Sequence, residues 1–162
     1  GMRSIEIRTM RVGEIDRDGV VVDGVRVWVY RPGSHKNAWR EDETGESQQR
    51  AIPLGPRCQA LIEPFIRLIS DKPSAFVFRP RRHVHDRCYT SWGYGQVIRR
   101  VARSLGIDLK PYDCRHGAKQ RLTREEGADA ARAVLGHKTI STTQHYGALD
   151  LEHAARVAAR GG

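Results

Sequence analysis

Between residues 20 and 30 the chain reads Val-Val-Val-Asp-Gly-Val-Arg-Val-Trp-Val-Tyr, with β-branched and aromatic residues on both sides of one Asp-Gly. Asp-Gly suits the two-residue type I′ turn, where both central residues need positive φ, so the pattern predicts a β-hairpin. Ahead of it, Ile5, Met10 and Val12 mark residues 3–12 as a short helix. After it, residues 31–49 are polar, with Pro, Gly and several charges, and read as a long connection. Residues 50–54 (Arg-Ala-Ile-Pro-Leu) predict a third, short strand. Pro53 has no N–H to give a ladder, which places that strand at a sheet edge.

The remainder follows helical spacing. Leu61, Ile62, Phe65, Leu68 and Ile69 predict a helix from Pro56 to Ser70. Ala75-Phe76-Val77-Phe78 reads as one more short strand, and residues 79–87, dense in Arg, His and Pro, as a loop. Helices are expected over 90–105, 113–126, 128–135, 141–146 and 150–159, the first three ended by Gly106, Gly127 and Gly136. No internal repeat or low-complexity segment interrupts this order. The prediction is an α+β fold, with a small antiparallel three-stranded sheet packed on a mainly helical body.

Composition sharpens the expected partner. The chain has 162 residues, one domain by size, and 28 Lys and Arg against 19 Asp and Glu, a net charge of +9. That balance favours a polyanion. No apolar run approaches the ~18–20 residues of a membrane span, and no signal peptide opens the chain, so a membrane role is not expected. Three scattered cysteines (Cys58, Cys88, Cys114) give neither a disulfide framework nor zinc-finger spacing and fit a reducing cytoplasm. His83, His85 and Cys88 lack a fourth ligand at sensible spacing, so no metal site is expected.

The last third carries the chemistry. Tyr112-Asp113-Cys114-Arg115-His116 is followed by Leu135-Gly136-His137 and then by Tyr146. A phenol can attack phosphorus if its proton is removed and the phosphate charge is neutralised. Taken singly, each residue has an ordinary structural explanation: a helix arginine in a surface ion pair, a loop histidine after a glycine stop, a half-buried core tyrosine.

Together these motifs resemble the C-terminal catalytic domain of the tyrosine recombinases, or phage-type integrases. The front of the chain resembles it too. Gly1-Met2-Arg3-Ser4-Ile5-Glu6 is similar to the family's Thr-Gly-x-Arg-x-x-Glu helix, and Lys36 to its β-hairpin lysine. The resemblance covers nearly all of the chain, in the order Arg, Lys, Arg, His, Tyr. It implies that Arg3 and Arg115 fork onto the non-bridging oxygens of a DNA phosphodiester. Tyr146 would form a 3′-phosphotyrosyl link, Lys36 would protonate the leaving 5′ oxygen, and His137 would hydrogen-bond a non-bridging oxygen. Neither a cofactor nor a metal is called for, because the arginines supply the electrostatic stabilisation. The implied partners are duplex DNA at a recombination site and further copies of the protein, dimer to tetramer on DNA; this chain alone is expected to be monomeric.

The resemblance has two departures. The family has His-x-x-Arg where this chain has Tyr112-x-x-Arg115. A phenol with pKa near ~10 is a poor base at neutral pH. Tyr112 can keep a hydrogen-bonding role, His116 or His145 can act as base, or turnover can be slow or lost; the first is the reading taken here. The family's N-terminal core-binding domain has no counterpart in this sequence, so residues 1–162 are read as the catalytic domain alone. Rival readings are a catalytically impaired DNA-binding remnant and a type IB topoisomerase-like activity. Glu6 is expected to pair with a local arginine or amide, His116 to be a buried hydrogen-bonding residue, and Cys114 a small core residue.

Overall fold

The Asp23-Gly24 turn organises the front of the molecule. The computed structural model describes residues 1–33, 50–69, 72–80, 87–135 and 147–161. Strands β1 (Ile15–Val22) and β2 (Val25–Tyr30) run antiparallel, and Val22 pairs with Val25 across the turn. Asp23 has φ 52° and Gly24 φ 77°, the two positive angles that a type I′ turn requires. β1 starts earlier than its hydrophobic residues suggest, because it carries a bulge. Asp16 pairs with Val29 and Val20 with Val27, so four steps along β1 face two along β2. Gly19 sits in the bulge with φ 48°, and a Cβ there would stand 2.1 Å from the Val27 carbonyl oxygen. The Gly19 N–H donates to Asp16 Oδ1 at 2.9 Å, which holds the bulge closed.

Strand β3 (Ile52–Leu54) pairs with β2 and completes a sheet of order β1-β2-β3. It lies at the edge, as Pro53 predicts. Both faces of β2 are covered. Trp28 and Tyr30 join Met10, Ile15, Ile52, Leu54, Ile62, Ile66 and Val77 in one core cluster, built against helix α1 (Pro56–Arg67). Val22 and Val27 face the other way, onto Ala155 and Ala158 of helix α2 (Gly147–Gly161). The small alanine side chains let that helix lie close against the sheet, and Ala155 is fully buried.

The chain begins with a short helical turn, Ser4–Arg8, and a 3₁₀ turn, Val12–Glu14. The strand expected at 75–78 is reduced to a single antiparallel bridge between Arg11 and Phe76. Its partner segment turns into the 3₁₀ helix at Val12, and the backbone bonds around the bridge run from Val12 N–H to Ala75 O, Val77 N–H to Met10 O and Gly13 N–H to Pro73 O. Helix α3 (Ser91–Ser104) starts at Thr90, whose Oγ1 accepts from the Gly93 N–H at 3.0 Å, and is followed by Gly106 at φ 70°. Helix α4 (Pro111–Leu135) is broken at Gly127, where φ is 88° and ψ 169°. The sequence placed two helices on either side of that glycine. The helix expected over 141–146 lies outside the described residues. Among the described residues no helix is long and apolar enough to cross a membrane. The fold is α+β, a three-stranded antiparallel sheet within a mainly helical body.

Candidate functional site

Glu6 is fully buried, and a buried carboxylate needs paired charge and hydrogen bonds. Two arginines supply them. The Arg3 backbone N–H donates to Glu6 Oε2 at 2.6 Å, half of a capping box, and Arg3 Nη1 donates to Oε1 at 2.8 Å. Arg50 Nε lies 2.6 Å from Oε1, and Arg50 Nη2 donates to Oε2 at 3.5 Å. The Nε–H is not aimed along its short contact, so this pairing is chiefly Coulombic. The pairing expected of Glu6 is therefore present, with a second cation that sequence reasoning did not place there. The Tyr30 hydroxyl fastens the same turn to the sheet by donating to the Glu6 carbonyl at 2.8 Å.

Arg115 reaches this cluster from α4. Its Nη1 donates to the Gly1 carbonyl and its Nη2 to the Leu135 carbonyl at 2.9 Å. Arg115 and Leu135 are 20 residues apart within α4. A straight helix of that length spans ~30 Å, far beyond a guanidinium's reach. The break at Gly127 folds the second helical segment back along the first and makes the contact possible. Leu135 ends α4, so its carbonyl has no partner within the helix. It accepts from Arg50 Nη1 as well, at 3.0 Å. The partial negative charge of a helix C-terminus favours two cations there.

Three guanidiniums and one carboxylate leave this group with a charge of +2 (3 − 1). The crowding registers in the arginines themselves. Arg115 has its pKa lowered by burial, then by the charges of Arg3 and Arg50, while Glu6 pulls it back up. Arg50 is lowered by burial first, with Glu6 opposing. Such a group attracts an anion, and a planar guanidinium can meet one with two parallel N–H donors. The Arg3 side chain remains 35% exposed, whereas Arg50 is only 9% exposed and faces inward.

Of the six residues singled out in the sequence, the structure brings Arg3 and Arg115 together. Tyr112 lies one turn before Arg115 on α4 and is 66% exposed. Its ring meets the His116 ring edge-on at 4.3 Å between centroids. Lys36, His137 and Tyr146 lie outside the described residues, as does His145. In sequence, Leu135 is two residues ahead of His137, and Tyr146 directly precedes α2. His116 and Cys114 are both exposed, against the expectation of burial, because this face of α4 packs against none of the described core residues. Arg50 is the residue that sequence reasoning missed. It stands between a polar connection and a strand, where an arginine ordinarily faces water, and no local pattern signals its burial. Exposed cations continue along α3, the connection after it and α4 at Arg99, Arg100, Arg103, Lys110, Lys119, Arg121 and Arg124, and Trp92 is 75% exposed at the start of α3.

Comparison with known proteins gives the same direction. The phage integrase family matches the chain over residues 1–153. The tyrosine recombinase XerC of Pseudomonas fluorescens is 28% identical over 162 residues, covering 97% of this chain and 47% of that protein. XerC of Chromohalobacter salexigens is 31% identical over 120 residues, 67% of this chain and 38% of that protein. The tyrosine recombinase XerA of Thermococcus kodakarensis is 28% identical over 109 residues, 66% of this chain and 38% of that protein. The chain thus spans less than half the length of each of these proteins. No solved structure matches it significantly.

Proposed function

The chain belongs to the phage integrase family, and from that premise we propose that it is the catalytic domain of a site-specific tyrosine recombinase acting on duplex DNA. The observation that carries the reading is the convergence of Arg3 and Arg115, far apart in sequence, on a group with a net charge of +2. A phosphodiester brings one negative charge and its pentavalent transition state more. Fixed guanidiniums meet the added charge without reorganising.

In the proposed reaction the Tyr146 oxygen attacks phosphorus and the bond to the 5′ oxygen breaks. A 3′-phosphotyrosyl link forms, and the phenol proton passes to a general base. Lys36 gives a proton to the departing 5′ oxygen, and His137 hydrogen-bonds a non-bridging oxygen. Attack by a 5′-hydroxyl of the exchanging strand reverses the step, restoring the phosphodiester and the phenol. The bond energy is kept in the link, so no nucleotide cofactor enters. Tyr112, exposed one turn from Arg115, would donate its hydroxyl to the phosphate or to Tyr146. The cations of α3 and α4 would follow the DNA backbone, with affinity that falls as salt rises. Strand exchange needs further copies of the protein on the DNA, and the cytoplasm is the compartment where such a substrate is found.

A second reading, a DNA-binding remnant with impaired turnover, is favoured by one observation. Tyr112 stands where the resemblance places a histidine, and its hydroxyl makes no hydrogen bond to another described residue. Capture on a pool of nicked duplexes of randomised sequence separates the two. The proposed enzyme yields detergent-resistant protein–DNA adducts that vanish in Tyr146→Phe, and sequencing the captured DNA reports the site. If neither the chain nor a chimaera bearing the N-terminal half of a matched XerC protein forms an adduct, the remnant reading stands. Relaxation of supercoiled plasmid without a partner site would instead mark topoisomerase-like activity.

A further inference from the structure

Arg50 takes no part in the reaction set out above. We propose that Arg50 is a positioning residue of the phosphate site, the common tie that sets both Arg3 and Arg115; the proposal rests on that reading of the site.

Each phosphate arginine shares one acceptor on the protein side with Arg50. Arg3 is held by the Glu6 carboxylate and Arg115 by the Leu135 carbonyl. Arg50 is the second cation on each of them: Nε and Nη2 toward Glu6, Nη1 to Leu135 at 3.0 Å. It stands two residues before β3, whose ladder to β2 anchors it to the sheet. One side chain therefore links the sheet, the first helical turn and the end of α4. All three of its nitrogens face protein, so it does not itself receive the phosphate.

Stability alone does not account for it. A guanidinium buried this deeply carries a desolvation penalty, and well-packed apolar residues commonly fill such positions at no loss. What an apolar side chain cannot do is fix two acceptors at once. The charge has a second effect. Burial first, and then the charges of Arg3 and Arg50, disfavour the Arg115 cation, and an arriving anion offsets that cost. Arg50 thus orients the two receiving guanidiniums and raises the local demand for negative charge.

The test uses Arg50→Met and Arg50→Lys in the full chain, with two readouts. The first is hydrogen exchange read by mass spectrometry, which needs no activity. In Arg50→Met the amides of Ser4–Arg8 and of the last turn of α4 should lose protection together, while the peptide over residues 20–30 keeps its own. The second is single-turnover cleavage of a captured nicked duplex, carrying either an ordinary phosphodiester or an uncharged methylphosphonate at the scissile position. Misplaced arginines should slow phosphodiester cleavage by ~100-fold. They should slow methylphosphonate cleavage less than ~10-fold, because that substrate lacks the charge the arginines serve. Arg50→Lys, which reaches one acceptor but not both, should fall between the extremes. Unchanged protection in both segments overturns the proposal, as does equal slowing on both substrates. If Arg50→Met does not fold, Arg50→Lys decides alone, and wild-type behaviour in it overturns the proposal. If the wild-type chain forms no adduct, the recombinase reading fails, while the exchange result still decides whether Arg50 ties the two segments.

Discussion

Replacing Gly127 with alanine separates backbone conformation from side-chain packing at the point where α4 folds back. Gly127 has φ 88° and ψ 169°, a region populated almost only by glycine and costing ~1–3 kcal/mol for other residues. A Cβ built there meets nothing within 4 Å, so no clash adds to that cost. Gly117, within the first segment of α4, is the control: its Cβ also meets open space, and its backbone is helical. Alanine at 117 should stabilise by ~0.5–1 kcal/mol through helix propensity and reduced unfolded-state entropy. One substitution at two sites in one element thus has opposite expected signs. Urea denaturation reads the difference. With a slope of ~2 kcal/mol per molar, Gly127→Ala lowers the midpoint by roughly 1 M and Gly117→Ala raises it by a few tenths. If alanine lets α4 run straight, helicity rises by circular dichroism. Leu135 then leaves both guanidiniums, and the midpoint still falls. A Gly127→Ala midpoint at or above wild type would refute the fold-back, and with it the account of how Arg115 reaches Leu135.

Two other outcomes are expected. Gly19→Ala should destabilise by roughly 3 kcal/mol, because its Cβ would stand 2.1 Å from a backbone oxygen at a positive φ; a urea midpoint within error of wild type would contradict the bulge register. The Tyr30 phenol is pushed up, by burial first and then by nearby Glu14 and Glu6. Its folded pKa exceeds the unfolded value of ~10, so its contribution to stability is whole below pH ~10 and is lost as pH rises through the folded value. Urea midpoints of wild type should therefore fall relative to Tyr30→Phe above pH ~10, and a constant difference from pH ~8 upward would count against it.

What could be read ahead of the structure was local. Asp23-Gly24 specifies a turn through two backbone angles, so the hairpin was legible, and Gly127 marked the break in α4. Pro53 gave the edge strand by what it lacks. What was illegible depended on contacts far apart in sequence. The bulge at Gly19 is set by the approach of Val27, and a glycine in a polar run does not announce it. Arg50 acquires meaning only when residues 6, 50 and 135 meet. The exposure of Cys114 and His116 turns on which face of α4 points inward, and a segment rich in Lys, Arg and Gln has no apolar stripe to fix that phase. At the site, motif order led to Arg3 and Arg115, which the fold does bring together; it could not reveal what holds them there.

The two-sided burial of β2 also bears on how the protein is made. Val27 lies against Ala155 and Ala158, contacts of large sequence separation that form late in folding. At ~5–20 residues per second, the interval between synthesis of Val27 and of Ala155 is on the order of 10 s. Once α1 has been made its side of the sheet can be covered, but the α2 side stands open for the whole interval, an apolar face on a young hairpin. A chain stalled or cut ahead of α2 would keep that face bare, and its fate would be association with other chains or capture by a chaperone.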